Sequence, residues 1–241
     1  MSEADPGETF GGRACAWPRR PKTPVRVRLI APGEIPGWIL HEDDELLVVD
    51  KPGDVVCHPS KAGPWSSLVG ALREYTGLAT VHLIFRLDRE TSGVVVLAKT
   101  SAMASRLQTA LQRRHIGKRY RAVLTGRLAG EARVDQALGD DVTTPVFVKS
   151  AVVPAGEGKA AVTVFRPLTA SSGGEFTLAD VLLETGRKHQ IRAHAQWLGH
   201  PVVGDKIYGP DPRFYLEFID SGWTASLESR LLLPRQALHC A

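Results

Sequence analysis

The segment RLDRETSGVVVLAK, from Arg86 to Lys99, constrains this chain more than any other stretch. Charged and hydroxyl-bearing residues run directly into Val94, Val95, Val96 and Leu97. A short valine-rich apolar run suits an enclosed strand. Gly93 marks the junction, where the backbone needs freedom or a close approach. Charges rarely abut an enclosed strand without being held there. Asp88 is therefore displayed on a loop anchored by rigid structure, a setting that suits chemistry.

Further strands are expected over Glu45–Asp50, Tyr120–Thr125, Val146–Val153, Ala161–Pro167 and Phe176–Glu184, bounded by Gly, Pro and polar residues. Ser67–Tyr75 reads as a short helix. Ser101 reads as the N-cap of a second helix, whose Met103, Leu107, Ala110 and Leu111 form an amphipathic stripe for core packing. Arg187–Leu198 reads as a third helix, with Gly199 just past its end. Successive strands without intervening helices predict an α+β fold, with a largely antiparallel mixed sheet flanked by helices. Residues 1–24, rich in Pro, Gly and charge, read as a disordered tail. Residues 25–241 read as a single domain.

At 241 residues the chain is long enough to bury a proper core. Its 30 Lys and Arg against 26 Asp and Glu permit a polyanionic partner without requiring one, so the placement of charge decides. The three cysteines, Cys15, Cys57 and Cys240, have neither disulfide-framework nor zinc-site spacing and fit a reducing cytoplasm. No apolar run reaches the roughly 18–20 residues that span a bilayer. No signal-peptide core is present, and cytoplasmic is the expectation.

Three places could carry chemistry. Asp88 is ionised at neutral pH and can serve as nucleophile or base, or it can simply pair at the surface with Arg86 or Arg89. The segment ETGRKHQIR, Glu184–Arg192, puts Arg187, Lys188 and Arg192 near an expected helix start, where positive charge opposes the helix dipole. Phosphate binding, a bidentate pair with a buried carboxylate, or plain solvation would each account for it. In RRHIGKRYR, Arg113–Arg121, five of nine residues are Lys or Arg, Lys118 and Arg119 among them, around the single aromatic Tyr120. Cations for phosphates and a π-face for a base suit an RNA site, although a tyrosine opening a strand also suits a core. His189, His194 and His200 lack metal-ligand spacing, and no phosphate-cradling glycine loop or GxSxG nucleophile is present.

Taken in order, LLVVDKPGDVVCHPS, RLDRETSGVVVLAKT, KRYRAVLTG, LETGRKHQIRAHAQWLGHPVVGDKIYG and RQALH resemble the RluA-like family of pseudouridine synthases. The resemblance covers nearly everything after residue 44. It implies the pseudouridine synthase catalytic fold with a central RNA-binding cleft. It also implies an enzyme that isomerises uridine to pseudouridine in structured tRNA or rRNA, without cofactor or metal. Asp88 is then the catalytic aspartate, acting on sugar or base as a nucleophile or removing a sugar proton. Arg187 matches the arginine that pairs with it, and Tyr120 the tyrosine that packs on the target base. Arg86 is expected to hold RNA beside the extruded nucleotide and Ile191 to wall the base pocket. Lys118, Arg119, Lys188 and Arg192 complete the expected RNA contacts.

Two departures stand out. Phe85 occupies the place where the family usually has His before RLD. The chain stops at Ala241, shortly after RQALH, where relatives continue into a strand containing His-Pro, so an unpaired sheet edge is expected. No small N-terminal RNA-binding domain is recognisable before residue 40. A monomer is expected. The rival readings are an inactive RNA-binding protein on the same fold, and a base-excising or sugar-transfer enzyme, for which no second acid is placed.

Overall fold

The computed structural model describes residues 28–58 and 62–241. The segment read as a tail, residues 1–24, lies outside the described residues. In chain order the elements are β1 (Ile39–Glu42), β2 (Leu46–Lys51), α1 (Leu68–Thr76), β3 (His82–Leu83), β4 (Ser92–Ala98), α2 (Ser101–Gln112) and β5 (Lys118–Thr125). Then come β6 (Ala132–Asp135), β7 (Leu138–Asp140), β8 (Ser150–Val152), β9 (Val162–Ala170) and β10 (Phe176–Leu183). The chain closes with α3 (Gln190–Trp197), α4 (Arg213–Ser221), α5 (Ala225–Leu231) and β11 (Leu238–Cys240).

Among the described residues nine strands form one sheet in the order β1-β2-β4-β11-β5-β10-β9-β6, with β3 also on β4, while β7 and β8 pair separately. Every strand pairing is antiparallel except that of β11 with β4. This is the α+β, largely antiparallel architecture expected from the sequence. Alternation along the central strands turns Leu47, Val49, Val95, Leu97, Tyr120, Ala122, Ala179 and Val181 to one face, where Leu68 and Leu72 of α1 and Ile191 and Ala195 of α3 complete the core. On the other face, Met103, Leu107 and Leu111 of α2 pack with Ile84, Val96 and Ala98.

Several local expectations shift. Thr100, not Ser101, caps α2: its backbone is extended and its hydroxyl accepts the Met103 N–H at 3.2 Å. The strand expected over Val146–Val153 is only Ser150–Val152, because Val146–Lys149 forms a turn closed by the Lys149 N–H on the Val146 carbonyl. The third helix begins at Gln190 instead of Arg187, since His189 sits at φ +55° and breaks the helical path. The last strand, Leu238–Cys240, takes an interior position: it lies between β4 and β5 and bonds to both. Gly93 is required there. At φ +112° a side chain would be strained, and a Cβ would lie 2.1 Å from the Cys240 carbonyl oxygen.

Candidate active site

The loop from Arg86 to Thr91 leads into β4 and is held at almost every residue. The Cys57 thiol donates to the Leu87 carbonyl at 3.4 Å. The Lys51 ammonium, fully buried at the end of β2, donates to the carbonyls of Pro52, Val55 and Arg89 at 2.8, 2.9 and 3.1 Å. Burial pulls that ammonium down to about 8. Glu90 accepts from Lys206 at 2.6 Å, and Thr91 accepts from the Gln236 amide at 2.6 Å. Asp88 is thus carried on a frame tied at four points. Such preorganisation is what a reacting carboxylate needs.

Its partner is Arg192. Nη1 donates to Asp88 Oδ2 at 2.8 Å, while Nε and Nη2 grip Asp205 at 2.6 and 2.9 Å. Asp205 is fully buried and also accepts the backbone N–H groups of Ile207 and Tyr208. The guanidinium lies 4.9 Å from the Tyr208 ring centroid. One arginine therefore serves two carboxylates. Burial pushes Asp88 up, but Arg192 beside it prevails and holds the carboxyl below its ordinary range. Asp205 is held low against burial by the same guanidinium. No described donor reaches Asp88 Oδ1, and the side chain keeps 26% exposure.

Asp88 opens into a cleft walled by Arg86, Tyr120, Leu183, Arg187, His189, Ile191, Arg192 and Leu238. Tyr120 comes from β5 and faces the core side of the sheet; burial pushes its phenol far above the ordinary value, so it stays protonated. Of the residues singled out in the sequence, Arg86, Asp88, Tyr120, Arg187, Ile191 and Arg192 meet at this cleft.

The arginine bonded to Asp88 is Arg192, which corrects the expected pairing with Arg187. Arg187 lies in the turn before α3, is exposed, and donates Nε to the Ala160 carbonyl at 2.9 Å. Gln190 makes that turn, accepting from the Arg187 N–H at 3.0 Å and tying itself to Val162 and Thr163. Lys118, on the Tyr120 side of β5, lies with Arg187 on an adjoining groove. Lys188 pairs with Asp140 at 3.4 Å on another groove that also reaches Arg187. Arg119 is elsewhere: alternation along β5 turns it to the opposite face, where it bonds Asp180.

Asp205 and Tyr208 were not singled out beforehand. Their signal was the charged pair Asp205–Lys206 inside the otherwise apolar VVGDKIYG. Among the described residues no His, Cys, Asp or Glu cluster is arranged to hold a metal ion. No helix among them is long and apolar enough to cross a membrane.

Residues 45–197 match the family described as RNA pseudouridylate synthase. The ribosomal large subunit pseudouridine synthase D of Vibrio parahaemolyticus serotype O3:K6 is 39% identical over 211 residues, covering 86% of this chain and 62% of the relative. The protein of the same name from Escherichia coli O157:H7 is 37% identical over 213 residues, with 86% and 62% covered. The chain thus spans 62% of the length of these relatives. Among solved structures, human RNA pseudouridylate synthase domain containing 4 superimposes with a TM-score of 0.65 at 25% identity, over 86% of this chain and 84% of that one. Human RNA pseudouridylate synthase domain containing 1 gives 0.64 at 26% identity, over 84% and 76%.

Proposed function

From the premise that this chain belongs to the RNA pseudouridylate synthase family, we propose that it isomerises uridine to pseudouridine in ribosomal RNA of the large subunit. The observation that carries the reading is Asp88: ionised, oriented through Oδ2 by Arg192, with no described donor on Oδ1, at a cleft walled by Tyr120. A fixed carboxylate is the group that glycosidic cleavage asks for, because breaking the bond builds positive charge on the sugar.

In this reading the target uridine leaves its stack and enters the cleft. Asp88 Oδ1 engages the ribose as the N1–C1′ bond breaks. The freed base turns in place, C5 bonds to C1′, the C5 proton leaves and N1 takes one up. The product has the composition of the substrate, so the chemistry consumes nothing. Tyr120 lays its ring against the base and Ile191 walls it. Arg192 is the counter-ion of Asp88. Arg86 and Arg187, both exposed at the cleft, bind phosphates, with Lys118 and Lys188 extending the track. Residues 25–241 act as one catalytic domain, as a monomer in the cytoplasm.

The test is tritium release from C5-labelled uridine in transcripts of large-subunit rRNA, with tRNA transcripts alongside. Release from the rRNA without free uracil, reduced by about 10³-fold or more in Asp88→Asn, is expected. Tight RNA binding with no release from any transcript would overturn the reading in favour of a binding protein. Free uracil would point to base excision.

A further inference from the structure

Behind the cleft, three residues form a polar chain. The Ser150 backbone N–H donates to the Tyr208 hydroxyl oxygen at 2.8 Å. That hydroxyl lies 3.0 Å from His189 Nδ1. Tyr208 is fully buried, and burial keeps its phenol protonated well above neutral pH. A phenol has a single proton to give, and an amide N–H cannot accept it. That proton can go to Nδ1 of the neutral imidazole, at 3.0 Å, or to the Ser150 hydroxyl beside it. Burial pulls the His189 imidazole down to about 4, so the ring is neutral; with Nδ1 accepting from Tyr208, its own proton sits on Nε2.

That Nε2 faces Asp88, 3.9 Å from Oδ2. The ring is held edge-on to Tyr208, at 5.6 Å between centroids and 88° between planes. It is also delivered by an unfavourable backbone. His189 sits at φ +55°, in the left-handed region that L-residues disfavour. Strain of this kind persists where surrounding structure imposes it, and here it aims an imidazole edge at the carboxylate.

We propose that His189 is a positioning residue of this site: a neutral donor whose tautomer is set by Tyr208 and whose Nε2–H closes onto Asp88 Oδ2 when RNA fills the cleft. At 3.9 Å the contact is longer than a hydrogen bond, and bonds of this class tighten in the substrate complex. With Arg192 Nη1 already on Oδ2, a second donor there would leave Oδ1 as the reacting oxygen. A neutral donor does this without adding a second cation, which would depress the reactivity of the carboxylate further. The role at Asp88 rests on the proposed isomerase reading, whereas the tautomer does not.

The experiment is long-range ¹⁵N–¹H NMR of the imidazoles in the full chain at neutral pH, with tritium release measured on the same samples. The wild type should show His189 as the Nε2–H tautomer. The near-isosteric Tyr208→Phe should shift the ring toward a tautomer mixture. His189→Leu should lower kcat about 10- to 100-fold, the value of one hydrogen bond to a charged group, with KM for RNA unchanged. His189→Gln, which keeps an N–H near the Nε2 position, should regain part of that loss. An Nδ1–H or imidazolium ring in the wild type overturns the proposal even if the chain turns over no RNA. Wild-type kcat in His189→Leu overturns it as well. Should His189→Leu not fold, Tyr208→Phe still decides, because an unchanged tautomer there refutes the lock.

Discussion

Two aspartates in this molecule meet arginines in opposite proportions. On the outer face of the sheet, Asp180 of β10 takes two: Arg119 Nε reaches its two oxygens at 2.7 and 2.9 Å, and Arg121 also bonds Oδ1. In the cleft, Arg192 alone serves Asp88 and Asp205. Both Asp88 and Asp180 are held below the ordinary carboxylate range, so ionisation does not distinguish them. Access does. The Asp180 side chain is 3% exposed and both of its oxygens are occupied, whereas Asp88 lines a cleft, is 26% exposed and has no described donor on Oδ1. Two arginines on one acid make a closed ion pair. One arginine between two acids leaves a carboxylate with an oxygen to spare.

The largest expected effect tests that contrast directly. Arg192→Met leaves Asp205 buried with no guanidinium, and removing one partner of a buried pair costs about 3–5 kcal/mol. Urea denaturation should show that loss. Arg119→Met removes a half-exposed partner while Arg121 stays on Asp180, so the loss should remain within about 1 kcal/mol. Equal losses in the two variants would mean that the arrangements are energetically alike and that the contrast fails.

The same contrast explains what could be seen in the sequence. β2, β4, β5 and β10 carry apolar alternation or runs of their own and were expected within a few residues of where they lie. β11 has only three residues and is held by pairing on both sides, a property of neighbours that its own pattern does not express. Asp88 was visible because its loop abuts a valine run. Its arginine was not, because Arg187 and Arg192 are five residues apart and the turn made by Gln190 and His189 decides which one faces inward. Asp180 looked like any strand residue, yet it determines that Arg119 is engaged on the far face.

A smaller effect concerns pH. With folded values below the unfolded carboxylate value of 3.8, Asp88 and Asp205 bind fewer protons in the folded chain than in the unfolded one. Their contribution to stability is thus fully present above that value and is lost as pH falls through the folded values. The acid limb of kcat/KM should accordingly lie below that of an ordinary carboxylate. In Arg192→Met the upward push of burial is unopposed, and the limb should rise by about 1 pH unit or more. In Arg119→Met it should stay in place. A pH–rate profile of tritium release with each variant measures both, and movement of the limb in Arg119→Met would break the contrast between the two carboxylates.

The smallest effect separates Arg187 from Arg119, two exposed arginines that the sequence put in one group. Among the described residues Arg187 spends only Nε, on the Ala160 carbonyl, and has no carboxylate partner, so its remaining N–H groups are available at the cleft. Arg119 is engaged by Asp180 on the opposite face of β5. A phosphate contact contributes counterion release, so Arg187→Ala should reduce the slope of log affinity against log salt by about 0.7–0.9 and weaken RNA binding roughly uniformly across sequences. Its kcat should hold, because Arg192, not Arg187, bonds Asp88. Arg119→Ala should leave the slope unchanged. Binding isotherms at several salt concentrations decide the matter. An unchanged slope in Arg187→Ala would remove Arg187 from the RNA track, and a reduced one in Arg119→Ala would show that an ion pair with a buried acid does not take an arginine out of phosphate recognition.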